Sequence, residues 1–446
     1  MIDARAALKE APMTAFQIGA VAICMAINML DGFDVLVIGF AGPPVAHDWS
    51  LMPRELGLLF SASPIGMMLG SIFVSPIGDI FGRRTLVMLG LLVITAGMLF
   101  SAAATNYDQL LMLRVATGVG IGSLLSSINT MVAEYASSRR RDFAVGVMAV
   151  GYPIGGTLGG MASVYLIHSF GWHSVFVFGG VLSALLIPVV WVQLPESLDF
   201  LLQKRPRRAL ERANALLARL QQPALTALPA IRETNEAKGV LAVFDRSFFT
   251  RTLIVCAAYF LSMMPLYFML QWTPKVLVDS GLSLTSGISG AVLMNAGGVV
   301  GGLLLGLAAR PFGLKQATSV CMVLFFAAIT AFGFAGANLG ALLILAVAVG
   351  FFMIACVVGL YAVIAAMYPV RIRNTGSGIA IGFGRIGAIA GPYLAGVFIQ
   401  AGWSRPMYCF ALAVPCLIAA FMIRRVPLLD EATPTAASAP ATVPAE

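Results

Sequence analysis

Twelve long apolar runs, separated by short polar turns, constrain this chain more than anything else in it. In the hydrocarbon core of a membrane no water is available to backbone N–H and C=O groups, so only helices and closed barrels can span it. The runs cover residues 16–42, 56–77, 85–104, 109–133, 143–167, 173–194, 251–272, 287–309, 316–335, 340–366, 375–400 and 404–424. A helix of about 20 residues rises about 30 Å, the thickness of that core, whereas a barrel strand needs about ten alternating residues. Only 11% of the residues are charged, against about a quarter in soluble domains. The expected fold is an all-α membrane protein with twelve transmembrane helices.

The basic residues test that count. If the runs alternate in direction, one face receives 23 of the 28 lysines and arginines, ten of them between Lys204 and Arg251. The other face receives Arg54, Lys275 and Arg405, and Arg114 and Arg385 fall inside runs. Basic loops mark the cytoplasmic side, so both termini are expected there, and the net charge of +8 reflects those loops and not a nucleic-acid partner. The first run lacks a small-residue cleavage site and is read as a retained helix. The six cysteines are scattered through apolar runs without a Cys-x-x-Cys pair, and the three histidines have no ligand spacing, so neither a metal nor another cofactor is expected.

The two halves of the chain echo each other. Arg139–Arg141 leads through Gly151-Tyr152-Pro153-Ile154-Gly155-Gly156 to Gly171-Trp172, and Arg371–Arg373 leads through Gly387-Ala388-Ile389-Ala390-Gly391-Pro392 to Gly402-Trp403. Arg140 to Trp172 is 32 positions and Ile372 to Trp403 is 31. This predicts a duplicated six-helix unit with a binding site between the halves near mid-membrane. The expected organisation is a bundle over 1–194 and a second over 251–425. A cytoplasmic linker over 195–250 carries an amphipathic helix from Arg207 to Leu220, and a disordered tail follows over 426–446.

Four charges lie inside the apolar runs and need a reason, because each costs several kcal/mol there. Asp31 and Asp34 stand three residues apart on one helix face, as expected of a solute and proton pathway. Counting 1.5 Å per residue, Asp31 lies roughly 22 Å and Asp34 roughly 27 Å from the cytoplasmic face, Arg114 roughly 8 Å from the outer face and Arg385 roughly 15 Å deep. Asp34 and Arg114 thus share the outer third and form a candidate gating or proton-coupling pair. Asp31 and Arg385 lie near the middle, where a guanidinium suits bidentate recognition of a carboxylate. The alternative for Arg385 is a structural ion pair with a buried acid such as Asp31. Desolvation favours a protonated carboxylate and a nearby arginine favours an ionised one, so moving either partner changes proton occupancy.

Several short motifs carry a resemblance. The turn Ser75-Pro76-Ile77-Gly78-Asp79-Ile80-Phe81-Gly82-Arg83-Arg84 combines an aspartate, a turn glycine and two arginines, read as a charged latch of Asp79, Gly82, Arg83 and Arg84. It resembles the signature between the second and third helices of the major facilitator superfamily, with Ser75 in place of the first glycine. The weaker copy from Gly306 to Lys315 has Arg310 where the aspartate would stand, so a second latch must be built differently. Arg114 through Gly122 is similar to that superfamily's fourth-helix motif, whose arginine is associated with proton coupling. Gly151–Gly156 is similar to its fifth-helix motif, with Tyr152 intruding before Pro153. Pro195-Glu196-Ser197 also fits. Gly382-Phe383-Gly384-Arg385-Ile386-Gly387 matches a dinucleotide-binding spacing, but no strand precedes it and no acid follows about twenty residues on, so that reading fails.

Asp31-Gly32-Phe33-Asp34 is similar to the signature of the aromatic acid:proton symporters within that superfamily. The resemblance covers about residues 15–425 and implies proton-driven uptake of a hydroxybenzoate- or benzoate-type acid by alternating access, and no enzymatic activity. Transport of another organic acid, an aliphatic dicarboxylate or muconate-like compound, or export of a drug or metabolite, stays open. An aromatic acid needs a cation, aromatic walls and polar groups for any hydroxyl. Arg385 and Asp31 are the candidate charged contacts, with Phe33, Tyr152, Tyr267, Trp272 and Phe383 as candidate walls and Asn129, Gln271 and Asn295 as candidate polar contacts. The implied partners are the acid, a proton and the lipid of a bacterial inner membrane. A monomer is expected, with no nucleic acid.

Overall fold

Each apolar run folds as a helix, and four of them start at a polar residue whose side chain caps the first turn. The computed structural model describes residues 13–137, 140–228, 246–336, 338–368 and 370–426. Thr14 opens the first helix with a capping box, accepting from the Gln17 amide at 3.3 Å while Gln17 accepts from the Thr14 amide at 2.8 Å. Asn106, Ser283 and Asn338 cap three later helices in the same way with their side-chain oxygens.

The first half contains α1 (Ala15–Asp48), α2 (Pro53–Leu69, prolonged by a π turn over Gly70–Val74), the short α3 (Ile77–Phe81), α4 (Arg83–Ala102), α5 (Tyr107–Tyr135), α6 (Arg141–Phe170) and α7 (His173–Gln193). Then come α8 (Leu198–Lys204) and α9 (Ala209–Arg219). The second half contains α10 (Arg246–Asp279), α11 (Leu284–Phe312), α12 (Leu314–Phe334), α13 (Leu339–Met367), α14 (Val370–Gln400) and α15 (Arg405–Arg424). Twelve of these helices are long and apolar enough to cross a membrane. Leu303, Ile344 and Phe421 on their outer sides are more than half exposed, which suits a lipid-facing belt.

The halves are built alike. In the first bundle α1 packs on α6 and α7, α2 on α5, and α4 on α5 and α7. In the second, α10 packs on α14 and α15, α11 on α13, and α12 on α13 and α15, which is the same plan one half later. Glycine permits the closest crossings: a Cβ at Gly155 would meet the Met29 carbonyl at 1.8 Å, and one at the equivalent Gly391 would meet the Met264 carbonyl at 2.1 Å.

The bundles join through α2 with α14, α6 with α11, and α1 with α10. Gln271 Nε2 donates to the Val35 carbonyl at 2.9 Å, and Ser61 Oγ donates to that of Ile389 at 2.8 Å. The Trp272 ring meets Phe60 edge-on at 5.2 Å, and Arg54 Nε donates to the Tyr393 hydroxyl at 3.0 Å. These contacts sit between mid-depth and the face opposite the termini.

Some limits differ from the sequence reading. The first run is expected to stop at Gly42, ahead of Pro43 and Pro44, yet α1 continues to Asp48. Each proline removes one ladder bond, but burial of Val45 and Ala46 holds the last turn in place. The linker helix starts at Ala209 and not Arg207, because Arg208 has a left-handed backbone, φ 60°. Its Leu216 and Leu217 are buried, and Arg219 stacks over Phe16 near the start of α1 at 5.6 Å. The tail from residue 427 and the linker over 229–245 lie outside the described residues.

Candidate functional site

Asp31 and Arg385 stand at the midpoints of α1 and α14, one in each bundle. The backbone around Asp31 is tightly held: a Cβ on Gly32 would lie 2.0 Å from the Tyr152 carbonyl, so α1 and α6 cross in contact here. Asp31 is 1% exposed, and neither carboxylate oxygen has a hydrogen-bond partner among the described residues. It lies within electrostatic reach of Arg385, with which it forms no ion pair, and of the like-charged Asp34.

Arg385 is only partly buried. Its Nη1 donates to the sulfur of Met67 on α2 at 3.3 Å, a contact across the joint between bundles. Tyr152, Tyr267 and Tyr259 all lie within its electrostatic reach. The Tyr259 ring meets that of Tyr361, from α13, edge-on at 6.0 Å. Among the described residues, the centre of the molecule therefore holds one carboxylate, one guanidinium and three tyrosines at mid-depth, with Tyr361 toward the end of α13 beside Tyr259. A carboxylate-bearing aromatic compound would find there a cation and ring surfaces.

The other buried charges form a separate group inside the first bundle. Arg114 is fully enclosed. Its Nη1 donates to the Asp34 backbone carbonyl at 3.4 Å, its Nη2 to Met98 Sδ at 3.2 Å, and the guanidinium lies over Phe176 at 5.3 Å. The expected side-chain pair of Asp34 with Arg114 does not form: the Asp34 carboxylate points toward Gly179 on α7 and has no hydrogen-bond partner among the described residues.

The remaining sequence candidates scatter. Phe33 packs against Phe178, rings 5.8 Å apart, inside the first bundle and away from Arg385. Trp272 is buried at the joint, its Nε1 donating to the Pro392 carbonyl at 3.0 Å, and Gln271 is the interbundle tie to Val35. Neither is a free wall of the central site. Asn295 bonds its own helix at Ala291 and sits beside Gly156, and Asn129 bonds its own helix at Leu125. Phe383 is 48% exposed. Two residues along a helix turn about 200°, so Phe383 and Arg385 point to opposite sides.

The latch also differs in its acid. Gly82 adopts φ 106°, which turns the chain so that α4 begins at Arg83 and directs that arginine toward α5. There Arg83 pairs with Glu134, whose carboxylate also accepts from Ser197 Oγ at 2.5 Å. The Arg84 amide donates to Glu196 at 3.1 Å, and its guanidinium bonds the Trp191 carbonyl. Asp79, on the outer side of α3, is exposed and makes no ion pair among the described residues.

Comparison with known proteins places this architecture. The sequence matches the Major Facilitator Superfamily over residues 24–314 and 293–445. The chain belongs to the major facilitator superfamily. It is 31% identical over 428 residues to the 4-hydroxybenzoate transporter PcaK of Pseudomonas aeruginosa, covering 94% of each chain. It is 30% identical over 425 residues to the gallate transporter of Pseudomonas putida, covering 95% of this chain and 94% of that one. In fold it is similar to the xylose transporter XylE from Escherichia coli in an inward open conformation, with a TM-score of 0.70 at 15% identity over 92% of this chain and 96% of that one. A bacterial homolog of the lysosomal transporter Spinster, inward-facing, gives a TM-score of 0.70 at 17% identity over 92% and 97%. The protein is a multi-pass membrane transporter and not an enzyme.

Sequence reasoning missed Tyr259, Tyr361 and Met67 at the centre of this major facilitator fold, and Glu134 in the latch. Tyr259 and Tyr361 are lone polar-tipped aromatics in otherwise apolar stretches, a weak signal that was available. Met67 carries none, being one of 22 methionines. Glu134 could have been found as an acid at an otherwise uncharged helix end.

Proposed function

We propose that this transporter imports an aromatic carboxylate of the hydroxybenzoate and benzoate class together with a proton, by alternating access. The observation that carries the reading is Arg385: a guanidinium at mid-depth, between the bundles, resting on a methionine sulfur with no carboxylate bonded to it among the described residues. A methionine sulfur is a weak acceptor, so an incoming carboxylate offers the fork a stronger, bidentate partner. Tyr152, Tyr259 and Tyr267 supply the ring surfaces around it. The names of the relatives at 30–31% identity point to the same substrate class.

Asp31 is the proposed proton carrier. Its carboxylate lies within reach of Arg385 from the other bundle and has no bonded partner among the described residues, so its proton is coupled to what Arg385 holds. Asp34 and Arg114 are the proposed coupling relay within the first bundle, and Gly82, Arg83 and Arg84 gate its terminal end through Glu134. The face with 23 of the 28 basic residues is the proposed cytoplasmic face, carrying both termini and the 195–250 linker. The bonds between the bundles from mid-depth to the opposite face suit a state open to the cytoplasm, the proposed release state of an importer. A monomer in the inner membrane of a bacterium is the proposed setting.

Uptake of radiolabelled 4-hydroxybenzoate into proteoliposomes, with and without an inward proton gradient, tests the reading. Accumulation above the external concentration is expected only with the gradient. Failure to take up any aromatic acid overturns the substrate class, and equal uptake with and without the gradient overturns the coupling.

A further inference from the structure

We propose that the Tyr152 hydroxyl reads a hydroxyl group on the substrate ring, so that the site selects hydroxylated benzoates over benzoate itself. This rests on the reading of the central site given above. Tyr152 is the only tyrosine among the described residues whose hydroxyl is shut away from solvent without a hydrogen-bond partner. Its counterparts are matched: Tyr135 donates to the Glu196 carbonyl at 2.6 Å, Tyr368 to Thr252 at 2.7 Å, and Tyr107 to the Glu55 carbonyl at 3.1 Å. Leaving a buried hydroxyl unmatched costs its desolvation with nothing in return. A phenylalanine at this position would avoid that cost and keep the ring.

The hydroxyl is also held in place. The α1–α6 crossing presses Gly32 against the Tyr152 carbonyl, so the backbone beneath this side chain has no room to withdraw. Around it, within electrostatic reach, stand Arg385, Asp31 and Tyr267. Arg385 belongs to α14 of the second bundle and Tyr152 to α6 of the first. A benzoate with its carboxylate on Arg385 lies across the joint and presents the far edge of its ring to the first bundle. A hydroxyl on that edge both donates and accepts, as does the phenol of Tyr152. A site built to bond a substrate hydroxyl rejects the analogue without one far more strongly than an apolar pocket discriminates by size.

The test compares inhibition constants for 4-hydroxybenzoate, 3-hydroxybenzoate and benzoate against labelled substrate binding to the purified protein, wild type and Tyr152→Phe. In the wild type at least one hydroxybenzoate should bind about tenfold or more tightly than benzoate, and in Tyr152→Phe that ratio should collapse toward one. Thermal stability of Tyr152→Phe should equal or exceed that of the wild type, since no bond within the protein is lost. A ratio that survives the substitution, a parallel loss for all three acids, or a fall in stability each overturns the inference while leaving aromatic acid transport standing. If no aromatic acid binds the wild type at all, the underlying reading fails, and this inference with it.

Discussion

The two arginines inside the helices of this transporter have similar surroundings and different freedom. Arg114 and Arg385 each donate to a methionine sulfur, and among the described residues neither has a bonded carboxylate. Arg114, however, is fully enclosed within the first bundle, with a backbone carbonyl and the Phe176 ring completing its contacts. All of its partners move with it if the bundle moves as a body. Arg385 is partly exposed, and its sulfur partner belongs to the opposite bundle. Any rocking of the bundles changes the surroundings of Arg385 and leaves those of Arg114 alone. The aspartates divide in the same way: Asp31 faces the joint and Asp34 the interior of its own bundle.

The largest expected effect is on coupling. Asp31→Asn should abolish gradient-driven accumulation in proteoliposomes while equilibrium binding of substrate persists. Accumulation at the wild-type level would remove Asp31 from the proton path. Next, Arg385→Lys keeps the charge and loses the planar fork. Losing a hydrogen bond to a charged group costs about 1.5–3 kcal/mol, and calorimetry should find substrate affinity lowered roughly tenfold or more. An affinity within twofold of wild type would make Arg385 structural and erase the contrast with Arg114.

For Arg114→Met the expectation reverses. Substrate affinity should stay within about threefold, because the residue lies inside one bundle and away from the joint. Thermal stability should fall, since the guanidinium gives up bonds to a carbonyl and a sulfur worth about 1–3 kcal/mol in a buried setting. A loss of affinity as large as that of Arg385→Lys would show that the two arginines share one function after all.

How much of this was legible follows from what a linear count can measure. Depth is rise per residue from a membrane face, so the chain alone matches Asp31 with Arg385 at mid-membrane, and the duplicated spacing of Gly155 and Gly391 exposes the repeated plan. Direction around a helix was legible in principle and misjudged for Phe383, which the 200° between it and Arg385 turns away. What the bundles do to each other was not legible. Gln271 and Trp272 have the chemistry of cavity walls, yet both lie at the joint: Gln271 Nε2 bonds the Val35 carbonyl across it, while Trp272 packs on Phe60 across it and bonds Pro392 within its own bundle. Charge pairing failed for a related reason. Asp79 and Arg83 are neighbours along the chain, but the turn at Gly82 gives Arg83 to Glu134, 51 positions later.

The smallest expected effect probes the methionine contact itself. Met67→Leu conserves size and removes the sulfur acceptor, and swaps of this kind in packed interiors cost under about 1.5 kcal/mol. If Met67 only holds Arg385 while no carboxylate is present, the substitution leaves the bound state untouched and destabilises the free one. Substrate affinity should then rise slightly, by about twofold, since one weak competitor for the guanidinium is gone. Met98→Leu, beside Arg114, should leave affinity unchanged, because no substrate competes for that arginine. Equal shifts in the two variants would mean that both sulfurs serve packing alone, and a fall in affinity with Met67→Leu would mean that the sulfur orients Arg385 in the bound state as well. The pair of variants thus asks of sulfur what the arginine pair asks of charge: whether a contact across the joint answers to substrate when its counterpart inside one bundle does not.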